Sequence, residues 1–338
     1  MRALSGTLDV TKSAHKICCF AYDAMSINRQ VTIVMYHYVR DLKRSRFPAI
    51  KGLSIERFSR QLDYIQTRYT PIAAEDLFEA LSSPRKDLPP NAILLTFDDG
   101  YGDHFTNVFP LLDARGIPGC FFPPAQAVLE HRVLDVNKIH FVLAAVPDAG
   151  TLLDQVFSCL VEFRSKYALK TKEAYLRSVT GEHRYDTREV TILKRLLQCE
   201  LPEPVRAEIV RRLFAERVTA DEEAFACELY MSVHQIACLL RHGMHIGSHG
   251  YTHAWLDHVS PEGQAVEIDR SLDFLQKLGI AKDEWTMCYP YGGFNDSLLQ
   301  ILRGRQCRLG FTVEARVADL DVDDRLTLPR LDTNDLPS

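Results

Sequence analysis

The sequence predicts an α/β fold around a parallel sheet, open or closed into a barrel. Short apolar, β-branched runs end in polar or glycine-rich clusters, and stretches of helical apolar spacing alternate with them. The first run is Val31 to Tyr36, emptying into His37 and Tyr38, and the second is Ala92 to Phe97, ending in Asp98, Asp99 and Gly100. Between them Ile55, Phe58, Leu62 and Ile65 recur at helical spacing behind Ser54, a suitable N-cap. Phe105, Val108, Phe109 and Leu112 predict the next helix, closed by Gly116, and Gly119 to Phe122 a third strand. Farther on, a helix through Val233, Ile236, Ala237 and Leu240, capped by Ser232 and stopped at Gly243, leads into a strand from Met244 to Ser248. Val266, Ile268, Leu272 and Leu275 mark a helix before the strand Trp285 to Tyr289, and Leu298, Ile301 and Leu302 another before Leu309 to Val313.

Residues from about 125 to 231 break this rhythm. Only helical spacing is found there, as in Val190, Leu193, Leu196 and Leu197, then Val205, Ile209 and Leu213, with Pro202 and Pro204 between them. A connection of that length without structure of its own is uncommon inside a compact domain, so the stretch reads as a helical insertion forming a lid or a lobe. The expected organisation is an N-terminal extension over 1–30 and one domain over 31–338, interrupted at about 125–231.

With 46% hydrophobic and 25% charged residues, the 338-residue chain has apolar material for one large domain or two ordinary ones. Its 40 Lys and Arg nearly balance 45 Asp and Glu, and a net charge of −5 singles out neither nucleic acid nor an anionic membrane as partner. The nine cysteines are odd in number, contain no C-x-x-C pair and mostly sit in apolar stretches, the pattern of reduced thiols. Arg2, Asp9, Lys12, Lys16 and Asp23 interrupt the first apolar runs, and no segment reaches the roughly 20 apolar residues that span a bilayer. A soluble, cytoplasmic protein without a membrane-spanning segment is expected.

In parallel α/β folds the carboxyl ends of the strands share one face, and sites are built there. Three such ends carry unusual residues: Thr96-Phe97-Asp98-Asp99-Gly100, His249-Gly250-Tyr251-Thr252-His253, and Tyr289-Pro290-Tyr291-Gly292-Gly293. An i, i+4 histidine pair puts two imidazoles on one side of a turn, and one added carboxylate leaves a coordination position open for water and substrate. The second carboxylate, kept off the metal, is then free to take a proton from the attacking water. Alone, Asp-Asp-Gly is commonly a turn and H-x-x-x-H commonly a surface or core pair. Together at strand ends they point to metal-dependent hydrolysis. G-x-S-x-G, P-loop and G-x-G-x-x-G patterns are absent, which removes the commonest serine hydrolase, nucleoside triphosphatase and dinucleotide-binding readings.

TFDDG at 96–100, H-x-x-x-H about 150 residues later, and a strand ending in Tyr289-Pro290-Tyr291-Gly292 resemble the polysaccharide deacetylase family, the NodB-homology domain of carbohydrate esterases. Val34-Met35-Tyr36-His37-Tyr38-Val39 and Phe121-Phe122-Pro123 are also similar to its members, and the resemblance spans roughly 31–124 and 232–335. It implies an irregular (β/α) barrel of seven strands, here with a large helical insertion, and hydrolysis of N-acetyl, sometimes O-acetyl, groups on sugars. By position it implies Asp98 as base, Asp99, His249 and His253 as ligands of a divalent metal, usually zinc, and the backbone N–H of Tyr291 as oxyanion donor.

Two expected groups are missing. Where the family has an arginine that orients the base, this chain has Cys288, which reads as a small buried filler; Arg330, in Leu328-Pro329-Arg330-Leu331-Asp332, is the candidate replacement, with Asp332 a candidate to orient it. The family's last motif supplies a histidine as general acid, yet no histidine follows His258. His37, at the mouth of the first strand, is the candidate acid, with His140 a weaker one; His104 is expected in the first turn of the following helix. The expected activity is removal of an acetyl group from an amino sugar, with an intracellular precursor of a cell-surface polysaccharide as substrate. The alternatives are hydrolysis of another amide or a formyl group, and a non-catalytic, metal-stabilised carbohydrate-binding protein.

Overall fold

The computed structural model describes residues 28–83, 86–178 and 186–337, so nearly all of the expected N-terminal extension lies outside the described residues. The strands that build the site are β1 (Gln30–Tyr36), β2 (Ala92–Asp98), β3 (Cys120–Phe122), β4 (His245–Ile246), β5 (Thr286–Cys288), β6 (Leu309–Phe311) and β7 (Leu331–Asp332). β1 pairs in parallel with β2 from Thr32 opposite Ile93 to Tyr36 opposite Phe97; β2 pairs with β3, and β3 with β4. Beyond β4 the pairing thins to one bridge between Ser248 and Met287 of β5, resumes between β5 and β6, and passes from Phe311 to Leu328. Two residues past the next proline, β7 lies parallel to β1, Leu331 opposite Val34. Backbone pairing thus returns to the strand from which it began, with an antiparallel piece, Ala318–Asp319, added beside the start of β1. The result is an α/β fold with a mixed sheet.

The periodicities account for most of these elements. β2 is buried along its whole length, as a strand covered on both faces must be, and its sequence is continuously apolar up to Asp98. Helix α1 (Ile55–Arg68) begins where the Ser54 hydroxyl accepts the Arg57 N–H, and it buries Phe58, Leu62 and Ile65. Phe58 meets Tyr36 and Phe97 edge-on, locking α1 to the β1–β2 pair. The later strands are shorter than their apolar runs, because only three residues of each find a neighbouring backbone in register.

Between Phe122 and Tyr230 the described residues contain helices and no strand. These helices are α2 (Asp135–Ala145), α3 (Ala149–Phe163), α4 (Lys172–Ser178), α5 (Arg188–Arg195), α6 (Glu203–Arg217) and α7 (Glu222–Leu229), with one short helix before them. They form a lobe with its own core, where Phe141, Leu160, Leu193, Ile209 and Phe225 pack together, and that core continues onto Tyr38 and Tyr101 at the strand ends. The chain then resumes with α8 (Val233–Arg241), α9 (Pro261–Lys277) and α10 (Asp296–Gly304), the first held by the expected capping box of Ser232 and Gln235. No helix among the described residues is long and apolar enough to cross a membrane.

The seam that carries the pairing from β6 to Leu328 tolerates no side chain at Gly310, where a Cβ would lie 2.1 Å from the Leu326 carbonyl oxygen and 2.7 Å from the Tyr289 hydroxyl. Gly310→Ala is expected to cost about 1–3 kcal/mol in urea unfolding. Gly304→Ala, whose Cβ would meet nothing within 4 Å, is expected to leave stability unchanged or raised by up to about 1 kcal/mol.

Candidate active site

β2 delivers Asp98 and Asp99 side by side, both nearly fully buried. Two ionised carboxylates in an apolar interior need separate neutralising partners, and the fold supplies them from opposite ends of the chain. Arg330, fully buried, grips Asp98 with both terminal nitrogens, Nη1 to Oδ1 at 2.9 Å and Nη2 to Oδ2 at 2.8 Å. The guanidinium is aimed by its own donors: Nε to the Thr312 carbonyl at 2.8 Å and Nη1 to the Thr96 hydroxyl at 3.0 Å. Asp332 takes no part, since its carboxylate caps the backbone N–H of Asn334 instead. Cys288 donates its thiol to Asp98 Oδ1 at 3.3 Å, so it touches the carboxylate rather than merely filling space. Burial alone would push the Asp98 carboxyl up; the Arg330 charge, joined by His249, outweighs it and holds the group well below the ordinary carboxylate range.

Asp99 faces the other way. Its backbone is left-handed (φ 70°), and Gly100 after it, at φ 66°, could carry no Cβ because one would fall 2.7 Å from the Pro123 side chain. Asp99 Oδ1 lies 3.4 Å from His249 Nε2 and 3.3 Å from His253 Nε2. A tetrahedral zinc with bonds of about 2.0–2.1 Å needs ligand atoms roughly 3.4 Å apart. That same Oδ1 is buried and has no hydrogen-bond partner among the described residues, while Oδ2 accepts the Tyr101 hydroxyl. His249 Nδ1 donates to the Cys288 carbonyl at 2.7 Å, which leaves Nε2 as the nitrogen with a free lone pair toward Asp99. The three residues therefore fit a divalent metal. A second trio, Asp98, His249 and Cys288, also converges, but Asp98 is already held by Arg330 and its thiol neighbour.

The loop between the two histidines is shaped by Glu267 of α9. Its carboxylate receives the N–H groups of Tyr251 and Thr252 at 3.0 and 2.9 Å and the Thr252 hydroxyl at 2.9 Å. His253 sits in left-handed backbone at φ 61°, and so does Tyr291 at φ 58°. With Asp99 this places three non-glycine residues of one site in a sparsely populated conformation, which persists only where surrounding contacts enforce it.

A cavity of about 540 Å³ opens over these groups, within the range of small-molecule sites. One wall is Tyr291, its ring stacked on Trp255 at 4.8 Å and edge-on to His253. The opposite wall comes from the helical lobe, through Val136, His140, Thr191 and Gln198. His37 enters from the end of β1, its side chain 44% exposed and Nε2 4.0 Å from Asp98 Oδ2. Its backbone is pinned by His104, whose Nε2 donates to the His37 carbonyl at 2.9 Å from a π-helical turn behind the cavity. Burial pushes His140 down to about 4, helped by the nearby Lys194 charge, so at neutral pH it is uncharged.

Of the residues singled out from the sequence, His37, Asp98, Asp99, His249, His253, Tyr291, Arg330 and the weaker candidate His140 line this one cavity, while Asp332 and His104 do not. Not anticipated were Tyr101 on Asp99, Glu267 under the histidine loop, the threonine pair that aims Arg330, and the Cys288 thiol. Thr96 opens TFDDG and Tyr101 follows it directly, so these two were the accessible signals; Glu267, Thr312 and Cys288 lie far away in sequence with no spacing that betrays them.

Replacing Arg330 by Met strands the Asp98 carboxylate, a loss expected to cost about 3–5 kcal/mol near neutral pH. In the wild type the folded carboxyl titrates below its unfolded value of about 3.9, so its stabilisation is present above that pH and lost as pH falls through the folded value. In Arg330→Met the largest opposing charge is gone and burial raises the carboxyl, so the deficit shrinks as pH falls from about 7 to about 5. Thermal melts of metal-free protein check this; a Tm gap to wild type that stays constant would show Asp98 charged without its arginine.

The sequence model of the family described as polysaccharide deacetylase matches residues 85–149 and 218–310, breaking off inside the helical lobe. No curated protein matches the chain in sequence. Among solved structures, the deacetylase PplD of Streptococcus pyogenes superimposes with a TM-score of 0.56 at 16% identity, covering 91% of this chain and 93% of its own. IcaB of Ammonifex degensii gives 0.52 at 18% identity over 90% and 92%. The deacetylase domain of BpsB from Bordetella bronchiseptica gives 0.52 at 14% over 90% and 96%. At these identities the neighbours establish a shared α/β fold, and the match to the polysaccharide deacetylase family model runs through the TFDDG and H-x-x-x-H segments.

Proposed function

We propose that this chain is a metal-dependent hydrolase that removes an N-acetyl group from an amino sugar, with zinc as the metal. The observation that carries this reading is the division of the adjacent carboxylates: Arg330 holds Asp98, while Asp99 turns an unpartnered oxygen toward two imidazoles. Asp99, His249 and His253 would hold the metal, which when bound would polarise the acyl carbonyl and the attacking water. Asp98, kept ionised by Arg330, accepts the proton of that water. The Tyr291 backbone N–H, at a left-handed turn in the cavity wall, is assigned to the developing oxyanion. His37 is assigned to protonate the leaving nitrogen: it reaches into the cavity beside Asp98 and its backbone is fixed by His104, whereas His140 has no charge to give at neutral pH.

The streptococcal neighbour is described in complex with acetate, the acid that this reaction would release. The described cysteines, among them buried Cys120, Cys288 and Cys307, are free thiols, which supports a reducing compartment and a sugar precursor met inside the cell as substrate.

Asp98→Asn is expected to keep fold and metal but to lower acetate release from acetylated amino sugars by about 10²–10⁴-fold. Unchanged turnover would refute the base assignment, and activity confined to formyl or non-sugar amides would refute the substrate. His37→Gln is expected to lose about 10²–10⁴-fold on amides yet hydrolyse an activated acetate ester at nearly the wild-type rate, because that leaving group needs no proton. Equal losses on both would remove His37 as the acid.

A further inference from the structure

The Asp99 oxygen turned away from the histidines is the end of a buried hydrogen-bond chain. A carboxylate can only accept, so the Tyr101 hydroxyl donates to Asp99 Oδ2. The Tyr101 oxygen in turn accepts Asn137 Nδ2 at 2.7 Å. Asn137 belongs to α2 of the helical lobe, and its amide is oriented from the far side, where the Tyr230 hydroxyl donates to Oδ1 at 2.5 Å. The Tyr230 oxygen accepts the Leu134 N–H at 3.0 Å. Every donor in this series points toward Asp99, the arrangement in which successive hydrogen bonds polarise one another. A flipped Asn137 amide would put a donor against the Tyr230 hydroxyl and an acceptor against Tyr101, reversing both links. Asn137 and Tyr101 are fully buried and Tyr230 is 4% exposed, so water cannot replace a missing partner. The Tyr38 ring, stacked on Tyr101 at 4.1 Å, keeps the phenol from swinging aside, and the Tyr38 hydroxyl takes a second contact from Asn137 Nδ2 at 3.1 Å.

We infer that Asn137 is a positioning residue for the metal ligand Asp99, acting through Tyr101, so that the helical lobe forms part of the metal site as well as the cavity wall. This rests on the metal reading proposed above. With Oδ2 held by Tyr101, the carboxylate has one rotamer and one oxygen to offer, and Oδ1 stands at equal reach of both imidazoles. Asn137 is the group that fixes where the Tyr101 hydroxyl points. Outer partners of this kind set ligand orientation in metal sites generally.

The test is zinc affinity of the full chain, read by competition with a chromophoric chelator, with folding followed by circular dichroism. Asn137→Leu and Tyr101→Phe are each expected to weaken zinc binding about 10–100-fold. The double variant is expected to be no weaker than Tyr101→Phe alone, because Asn137 has no other route to the metal. Asn137→Leu that folds and binds zinc within about twofold of wild type, or losses that simply add, would overturn the inference. Should Asn137→Leu fail to fold, Tyr230→Phe is the alternative: removal of the donor that orients the amide is expected to weaken zinc several-fold, and unchanged affinity would overturn the inference. A wild-type chain that binds no zinc would instead overturn the reading of Asp99, His249 and His253 as ligands, and this inference with it.

Discussion

Placing two carboxylates on consecutive residues at the end of a buried strand is electrostatically costly, and much of the molecule is arranged around making it tolerable. Side by side in a low dielectric, each would raise the other's pKa until one took up a proton. Here each is neutralised by a different part of the chain. Asp98 faces the guanidinium of Arg330 just before β7, and Asp99 faces the two imidazoles beyond β4. The left-handed backbone at Asp99 is what sends the two side chains to different partners. Neither residue would be tenable unless the pairing ran from β2 through β3 to β4 on one side and back to β7 through β1 on the other.

The sequence disclosed those parts of this arrangement that depend on residue type at short range. Alternating apolar runs and helical spacing place every strand of the pairing circuit except the two-residue β7, and Ser54 and Ser232 cap the helices they were expected to cap. Asp98, Asp99, His249 and His253 stand out because few chemistries want two acids, or two imidazoles one turn apart, at a strand end. Arg330 emerges from the resemblance, which implies an arginine beside Asp98 at the position that here holds Cys288. What lay hidden is whatever the tertiary fold alone decides. Glu267 is one acid on a helix whose other acids face water, and nothing near it indicates that it shapes the histidine loop. Asn137 sits in a stretch whose pattern is featureless, and its meaning comes from phenols at 38, 101 and 230. Asp332 shows the converse, a plausible neighbour that local geometry turned into a cap.

The helical lobe interrupts the fold without standing apart from it. The family match stops at residue 149 and resumes at 218, so the unmatched stretch comprises α3 to α6 apart from Ala149, while α2 and α7 fall within the match. That division has a physical counterpart. The matched part of the lobe supplies Asn137, Tyr230 and His140, whereas the unmatched part supplies Thr191 and Gln198 to the cavity wall.

The bond between Arg330 and Asp98 joins residues 232 positions apart. Loop closure over that span carries its entropic cost before any local contact repays it. During synthesis the histidines and Asp99 emerge, and can meet, well before Arg330 does. The partners of the two carboxylates therefore arrive in order, those of Asp99 first and the guanidinium of Asp98 last, with the docking of the final strand.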